Sequence, residues 1–265
     1  MPTRAVAGFA AVFLTNAVVQ QPLQPFDDYD ERSLIENCCI KESKQQWSLK
    51  HPPQKSARAV RVRGGERVIT DGPFAESKEQ LGGYYLVDCE SQDEAIELAA
   101  RIPIARWGSV EVRPVMNYEA VGSEPPTWRS EYQGKKYMLT LWGDESQWES
   151  WTPEQLQESM KLWADYDRDA TAAGVLLGGE GLEPSPTAKT VRVRDDERIV
   201  SDGPFAETKE QLGGFYLLDC KDLDEAIEWA AKVPVPDDAP VEIRPVMDYT
   251  GTSYEDIERR VEARQ

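Results

Sequence analysis

Apolar and polar residues alternate in short stretches of the second half of the chain, which predicts β-strands. Residues 137–142 are β-forming and mostly apolar, and the valines of VRVR at 191–194 alternate with arginines. Asp195-Asp196 follows as a turn into a paired strand. Gly64-Gly65 stands at the same place in the first half, and that pair suits the positive φ angles of a type I′ hairpin. Residues 215–220 and 241–247 are two further predicted strands.

Two stretches have helical spacing instead. Thr152 and Pro153 are a typical N-cap and first helical residue, and Gly174 is placed to end that helix. Its predicted apolar face holds Leu156, Met160 and Trp163. Residues 224–232 form a second predicted helix, with its alanines and Ile227 inward. The order strand, helix, paired strands, strand, helix, strand predicts an α+β fold with helices on one face of an antiparallel sheet.

The chain contains an internal duplication. Residues 58–118 align without a gap to residues 189–249, and 37 of the 61 aligned pairs are identical. The predicted domains are a first repeat at 1–118, shortened and divergent in its first half, a linker at 119–135, a second repeat at 136–249 and a helical tail at 250–265. Two copies can stack the bare faces of their sheets, as the subunits of a homodimer would.

Charge and composition narrow the range of functions. Asp and Glu number 48 against 30 Lys and Arg, so the formal net charge is −18. So acidic a surface repels phosphate groups, and we expect neither nucleic-acid nor membrane binding. No apolar run is long enough to predict a membrane-spanning helix. The sequence predicts no metal site and no cofactor. The glycine-rich GGEG at 178–181 matches neither the P-loop nor the GxGxxG dinucleotide-binding pattern.

The N-terminus and the cysteines bear on location. Residues 5–14 are small and apolar after Arg4, which is compatible with a weak signal peptide or with a first strand, and the duplication favours the strand. Cys38, Cys39, Cys89 and Cys220 form no CxxC pair. Reduced, buried thiols in a cytoplasmic protein are the expected state.

The repeated blocks resemble a known family. DGPFAETKEQLGGFYL at 202–217, followed by DEAIEWAA and VEIRPVM, resembles the DGPF subgroup of the YCII-related family. The resemblance implies two ferredoxin-like repeats that form an intramolecular pseudo-dimeric α+β barrel. Members of that superfamily include cofactor-independent enzymes, and genes of the subgroup often neighbour those of extracytoplasmic-function sigma factors. The related enzymes use a His–Asp pair, whereas the single histidine here, His51, has no counterpart in the second repeat.

Asp71 and Asp202, which begin the DGPF motifs, are the candidate catalytic residues. One interpretation makes them turn residues, since Asp-Gly-Pro favours a turn, and makes the following KEQLGG a short helical turn closed by glycine. The other makes them acid/base groups at the mouth of the barrel. Phe74 and Phe205 would then line a pocket and raise the carboxyl pKa values by burial.

Four further side chains are candidate ligand contacts. Arg113 and Arg244 lie on the last strand of each repeat, where they either bind a carboxylate or phosphate or pair with a glutamate. Trp142 and Trp163 either line an aromatic pocket or fill the core.

Three functions remain open at this point. The first is a module that binds a small organic molecule in a cleft between the repeats, or that has a regulatory role with a sigma factor or another basic protein as partner. The alternative is a cofactor-independent lyase or isomerase that uses Asp202 and Asp71. The third is a purely structural interaction protein whose acidic surface meets a basic partner. A buried Asp202 in an aromatic cleft would favour the enzyme, and an Asp202 in solvent would favour the module.

Overall fold

The structure is a computed structural model that describes residues 8–16, 47–50, 57–72, 79–106, 108–118, 127–148, 151–205 and 209–246. Within these ranges the strands are, in chain order, β1 (Gly8–Asn16), β2 (Trp47–Lys50), β3 (Arg58–Arg63), β4 (Glu66–Asp71), β5 (Glu79–Asp88), β6 (Ser109–Pro114), β7 (Lys135–Gly143), β8 (Leu176–Gly181), β9 (Lys189–Arg194), β10 (Glu197–Asp202), β11 (Gln211–Cys220) and β12 (Val241–Pro245).

Three α-helices pack on these strands: α1 (Gln92–Arg101), α2 (Pro153–Ala172) and α3 (Leu223–Ala230). The predicted start of α2 is confirmed, because Thr152 and Gln155 form a capping box around Pro153. Gly174 follows the helix with a φ of 75°, a value that glycine adopts without strain. Leu156 is 51% exposed, contrary to the predicted apolar face, since α2 is buried only in its second half, at Tyr166 and Ala170.

The two repeats exchange their β-hairpins. One six-stranded sheet has the order β10-β9-β6-β1-β5-β2, and the other has the order β4-β3-β12-β7-β11-β8. The hairpin of the second repeat therefore completes the sheet of the first repeat, and the hairpin of the first repeat completes the sheet of the second. The pairing is symmetric: Val191 lies opposite Val110 in one sheet, and Val60 lies opposite Val241 in the other. The fold is thus α+β with two ferredoxin-like repeats joined by exchanged strands.

Both hairpin turns have the predicted conformation. Gly64 and Gly65 have φ values of 56° and 81°, and Asp195 and Asp196 have 51° and 61°. Positive φ at both central positions is the requirement of a type I′ turn. The turn chemistry that the sequence predicted is confirmed in both repeats.

Successive residues of each strand point alternately to an outer core, which faces the helices, and to an inner core, which lies between the two sheets. On β12, Val241 and Ile243 face the helices α2 and α3, whereas Glu242 and Arg244 share the opposite face. Residues of both sheets meet in the inner core, where Tyr84 of β5 contacts Phe215 of β11 with ring centroids 4.3 Å apart. The inner layer between the sheets is therefore where the repeats touch.

The prediction of a helical turn at KEQLGG was wrong. Glu79 and Gln211 begin the strands β5 and β11. Leu81 and Leu212 are buried in the inner core, so the extended backbone is held by burial of alternate residues. Gly214 allows a close approach between strands, because a Cβ there would lie 2.7 Å from the carbonyl oxygen of Glu180.

The N-terminal segment forms a strand, as the duplication favoured. β1 lies between β5 and β6 inside its sheet, with Ala11 opposite both Tyr85 and Val112. None of the helices in the described ranges has the length and apolar content that a membrane crossing requires. The predicted C-terminal helix at 250–265 and the vicinal Cys38-Cys39 pair lie outside the described residues. Cys89 and Cys220 are buried and form no disulfide in the described ranges.

The two adjacent glycines of β11 offer a matched test of this packing. Gly214→Ala should lower the free energy of unfolding by roughly 1–3 kcal/mol, because the new methyl group meets backbone atoms of β8. Gly213→Ala is the control, since its Cβ would lie 3.9 Å from the nearest atom. Urea unfolding measures both variants. Equal effects would show that β8 does not lie this close to β11.

Candidate functional site

The DGPF aspartates lie in solvent at the ends of the exchanged hairpins. The side chains of Asp71 and Asp202 are 88% and 89% exposed. Asp71 pairs with Arg58 at 3.0 Å, and Asp202 pairs with Lys189 at 2.5 Å. The hydrogen bond from Lys189 lowers the pKa of Asp202 below its usual value. The candidate acid/base groups are therefore separate from any aromatic cleft in the described part of the chain.

The glycine of each motif closes its own hairpin, and Phe205 anchors the second hairpin to the other repeat. Gly72 and Gly203 have positive φ, and their N–H groups donate to the carbonyl oxygens of Ala57 and Ala188 at 2.9 Å. The backbone N–H of Phe205 donates to Oε2 of Glu111, in the other repeat, at 3.2 Å. Phe205 is partly buried against the inner core. Phe74, its counterpart, lies outside the described residues.

The candidate ligand contacts Arg113 and Arg244 already have protein partners. They are 1% and 4% exposed, and each pairs with the glutamate two residues earlier on its own strand. Nη1 of Arg113 donates to the carbonyl oxygen of Leu212 at 2.5 Å, and Nη1 of Arg244 donates to that of Leu81. Each guanidinium thus joins its own repeat to the backbone of the other.

Trp142 and Trp163 lie on opposite faces of one sheet. Trp142 is buried in the inner core, where its Nε1 donates to Oγ1 of Thr140 at 2.8 Å. Trp163 belongs to α2, and it packs against the outer core, where it stacks on Tyr216 with ring centroids 6.3 Å apart. A single pocket does not bring these two indoles together.

A different set of residues forms the most distinctive chemical environment of the described structure. Glu180, on β8, accepts a hydrogen bond from Nε1 of Trp128 at 3.0 Å and another from the hydroxyl of Tyr118. The ring of Trp128 lies 6.3 Å from that of Phe215, which in turn contacts Tyr84. We name Glu180, Tyr118, Trp128, Phe215 and Tyr84 the Glu180 site. It draws on the first repeat, the predicted linker and the second repeat.

The electrostatics of the Glu180 site are those of an uncompensated carboxylate. Burial raises the pKa of Glu180 to about 6, although Trp128 and Tyr118 oppose the shift through their hydrogen bonds. No lysine or arginine in the described ranges forms an ion pair with it. Burial, with the nearby charge of Glu180, raises the pKa of Tyr84. The Tyr84 hydroxyl is buried and has no hydrogen-bond partner in the described part of the chain.

A second carboxyl group lies next to this site. Asp167 of α2 accepts a hydrogen bond from the hydroxyl of Tyr216 at 2.7 Å, and burial raises its pKa. The charges of Glu180 and Asp167 both raise the pKa of Tyr118, so that phenol lies within reach of both carboxyl groups. Tyr118 also accepts the N–H of Gly181 at 2.8 Å. The local field is therefore negative.

The GGEG segment matches no phosphate-binding pattern, and that comparison did not reveal the role of Glu180. A usable signal was present, because Glu180 is a lone carboxylate between Val175-Leu176-Leu177 and Leu182. Charges in an apolar strand are seldom buried without a reason. Trp128 could not be linked to it from sequence, since the two residues lie 52 positions apart.

A cleft between the repeats lies elsewhere in the described residues. Its volume is about 210 Å³, and both of its basic side chains already have acidic partners: Arg61 lies 3.6 Å from Glu210, and Lys209 lies 3.5 Å from Asp144. No cluster of three or more His, Cys, Asp or Glu side chains in the described ranges is placed to hold a metal ion. The Glu180 site is the stronger candidate.

The buried pairs lead to a stability prediction. Arg113→Met should lower the free energy of unfolding by about 3–5 kcal/mol, because it leaves Glu111 buried without its cation. The double variant Glu111→Gln, Arg113→Met should lose less. Arg168→Met removes a solvent-exposed pair with Asp165 and should have a far smaller effect than Arg113→Met. Urea unfolding compares all three, and equal losses in the single and double variants would contradict the buried charge.

The raised pKa of Glu180 predicts a pH-dependent stability. Its folded pKa of about 6 exceeds the usual 4.5, so the folded state binds this proton more tightly and gains stability as pH falls through 6. Glu180→Gln should therefore stabilise the protein by about 1–2 kcal/mol near neutral pH, and the gain should vanish toward ~pH 4.5. Glu183→Gln controls for loss of a negative charge. A pH-independent effect of Glu180→Gln in urea unfolding would refute the assignment.

Comparisons with known proteins agree with the two-repeat organisation. The family model of the YCII-related domain matches twice, at residues 35–119 and 136–250. The uncharacterized protein R00369 of Rhizobium meliloti (strain 1021) is 40% identical over 115 residues, which is 43% of this chain and 93% of that protein. The solved structure of TA0507, a candidate chlorite dismutase, is 9% identical in sequence and superimposes with a TM-score of 0.39. The superposition covers 92% of this chain and 96% of that one, but the structural similarity is too low to carry an argument. The chain, with two matched domains in one polypeptide, belongs to the YCII-related family.

Proposed function

We propose that this protein is a small-molecule-binding module whose ligand site lies where the two repeats meet, at the Glu180 site. The observation that carries the proposal is the unfinished chemistry there. Among the described residues, the half-buried carboxylate of Glu180 has no cationic partner, and the buried hydroxyl of Tyr84 has no hydrogen-bond partner. Buried polar groups in proteins normally have partners, so a missing partner is a reason to expect a ligand.

The location of the Glu180 site supports the same proposal. Glu180, Tyr118 and Trp128 are each partly exposed, whereas Tyr84 and Phe215 behind them are buried. A ligand could therefore reach the carboxylate from solvent and contact the exposed parts of Trp128 and Tyr118, with Tyr84 and Phe215 closing the interior behind them. Small-molecule sites commonly combine apolar walls with a few convergent polar groups.

The environment of the DGPF aspartates favours a binding module over the lyase or isomerase. A general acid or base needs a pKa near the working pH, and burial is the usual means of raising a carboxyl pKa. Asp202 is exposed, and Lys189 holds its pKa below the usual value. Asp71 is equally exposed and pairs with Arg58. Neither carboxyl group has the surroundings that acid/base catalysis requires.

The regulatory part of the proposal concerns a protein partner. With a net charge of −18, the chain presents an acidic surface that complements a basic protein, such as an extracytoplasmic-function sigma factor. Ligand binding at a site between the repeats is suited to regulating the binding of this partner, because the site joins both repeats and the segment between them. The partner and the ligand would then influence each other's affinity reciprocally.

A thermal-shift screen with variants tests the proposed function. The panel holds aromatic amines, phenols, aromatic acids and small phosphorylated metabolites. A ligand should raise the melting temperature of the wild type and of the Asp71→Asn, Asp202→Asn variant equally, and should fail to stabilise Trp128→Leu. If the shift is lost in the aspartate variant and kept in Trp128→Leu, the site lies at the DGPF loops. The proposal is also overturned if no compound binds.

A further inference from the structure

We infer that the Glu180 site takes an organic cation, a substituted ammonium with an apolar group attached. This inference rests on the proposed function and specifies the chemical class of its ligand. Glu180 supplies the negative charge, and its two donors, Trp128 and Tyr118, leave some of its oxygen lone pairs unused. Because no basic side chain in the described ranges pairs with it, an incoming cation would find the charge available.

The aromatic residues of the site suit the same class of ligand. An ammonium group is attracted to the face of Trp, Tyr or Phe, and the attraction grows when water is excluded. Trp128 and Tyr118 lie beside the carboxylate and are partly exposed, while the rings of Phe215 and Tyr84 are buried behind them. An aromatic or alkyl group on the cation would pack on the exposed parts of the Trp128 and Tyr118 rings.

The position of Trp128 is fixed by the fold. A Cβ at Gly178 would lie only 2.4 Å from the ring of Trp128, so the indole rests directly on the backbone of β8. The next residue, Arg129, donates its N–H to the carbonyl oxygen of Leu177 at 2.7 Å. The aromatic wall is therefore present before a ligand arrives, which reduces the entropy cost of binding.

The neighbouring charges exclude the opposite class of ligand. Asp167 adds a second carboxyl group near Tyr118, and the charge of Glu180 reaches Tyr84. A carboxylate or phosphate in this place would face one or two negative charges and no described cation. A neutral phenol would leave the charge of Glu180 uncompensated. An organic cation satisfies both the carboxylate and the rings.

The duplication predicts one site per chain. In the register of the sheets, Phe215 lies opposite Glu180, while its counterpart Tyr84 lies opposite Leu49. Leucine carries no charge, so in the described ranges no carboxylate occupies the position of the first repeat that corresponds to Glu180. Binding should have a stoichiometry of one ligand per chain in spite of the two repeats.

Isothermal titration calorimetry with three ligands of similar shape tests the inference. The probes are benzyltrimethylammonium, benzyl alcohol and benzoate, in about 0.15 M NaCl, where the Debye length of ~8 Å screens distant surface charges. Benzyltrimethylammonium should bind with one site per chain, at least about tenfold more tightly than either control. Its charge does not titrate, so any pH dependence belongs to the protein.

Two variants and a change of pH complete the test. Glu180→Gln keeps the shape of the site and should weaken cation binding at least about tenfold. The control variant is Glu183→Gln, two residues after the end of β8, and it should change cation binding less than about twofold. The pKa of Glu180, near 6, predicts about tenfold weaker binding to the wild type at ~pH 5 than near ~pH 7.5, because the carboxyl is then largely protonated. Glu180→Gln should lose most of this pH dependence, and any part that remains belongs to Asp167, whose pKa burial also raises, while Tyr84, Tyr118 and Tyr216 keep their protons throughout.

Each outcome has a definite meaning. If benzyl alcohol or benzoate binds as well as the cation, and Trp128→Leu abolishes that binding, the ligand class is wrong and the proposed function stands. Cation binding that Glu180→Gln and Glu183→Gln weaken equally reflects surface charge and overturns the inference. No binding of the ammonium probe also overturns it, and if the thermal-shift panel yields no ligand either, the proposed function falls with it.

Discussion

Two buried guanidinium groups, each crossing from one repeat to the other, hold the fold together. Arg113 donates to the backbone of Leu212, and Arg244 donates to the backbone of Leu81. A charge in this dry layer is tolerable only with a partner, and each arginine has the glutamate two residues before it. The same Glu111 accepts the N–H of Phe205 from the exchanged hairpin. Removal of one member would leave its partners unsatisfied in both repeats.

The same buried layer sets the structural role of the repeated motif. Its glycine amides close their own hairpins, and the amide of Phe205 anchors the second hairpin to the first repeat. Its aspartates are left outside, paired with Lys189 and Arg58. The polar groups of the inner layer are largely consumed by one another. Chemistry available to a ligand is found instead where the duplication is imperfect.

The edge strand β8 is the place of that imperfection. An exposed strand edge offers unpaired backbone groups and needs a cover. The segment between the repeats supplies one, because Met116 donates its N–H to Gly181 and Arg129 donates to Leu177. Tyr118 and Trp128 are thereby brought to Glu180, and the glycines of β8 let the indole lie against the backbone. A connecting segment has become part of a candidate site.

The sequence by itself determined the repeat, the α+β class, the type I′ turns and the capping of α2, because each depends on residues close together in the chain. Alternation also placed Glu111, Arg113, Glu242 and Arg244 on the inner face of their strands. It could not decide which repeat each hairpin joins, since the two sheets are near copies and present equivalent edges. Nor could it join Trp128, Glu180 and Tyr84, which are distant in sequence and meet only after the sheets stack. Local propensities fix an element and its faces, whereas tertiary packing alone decides which faces share a site.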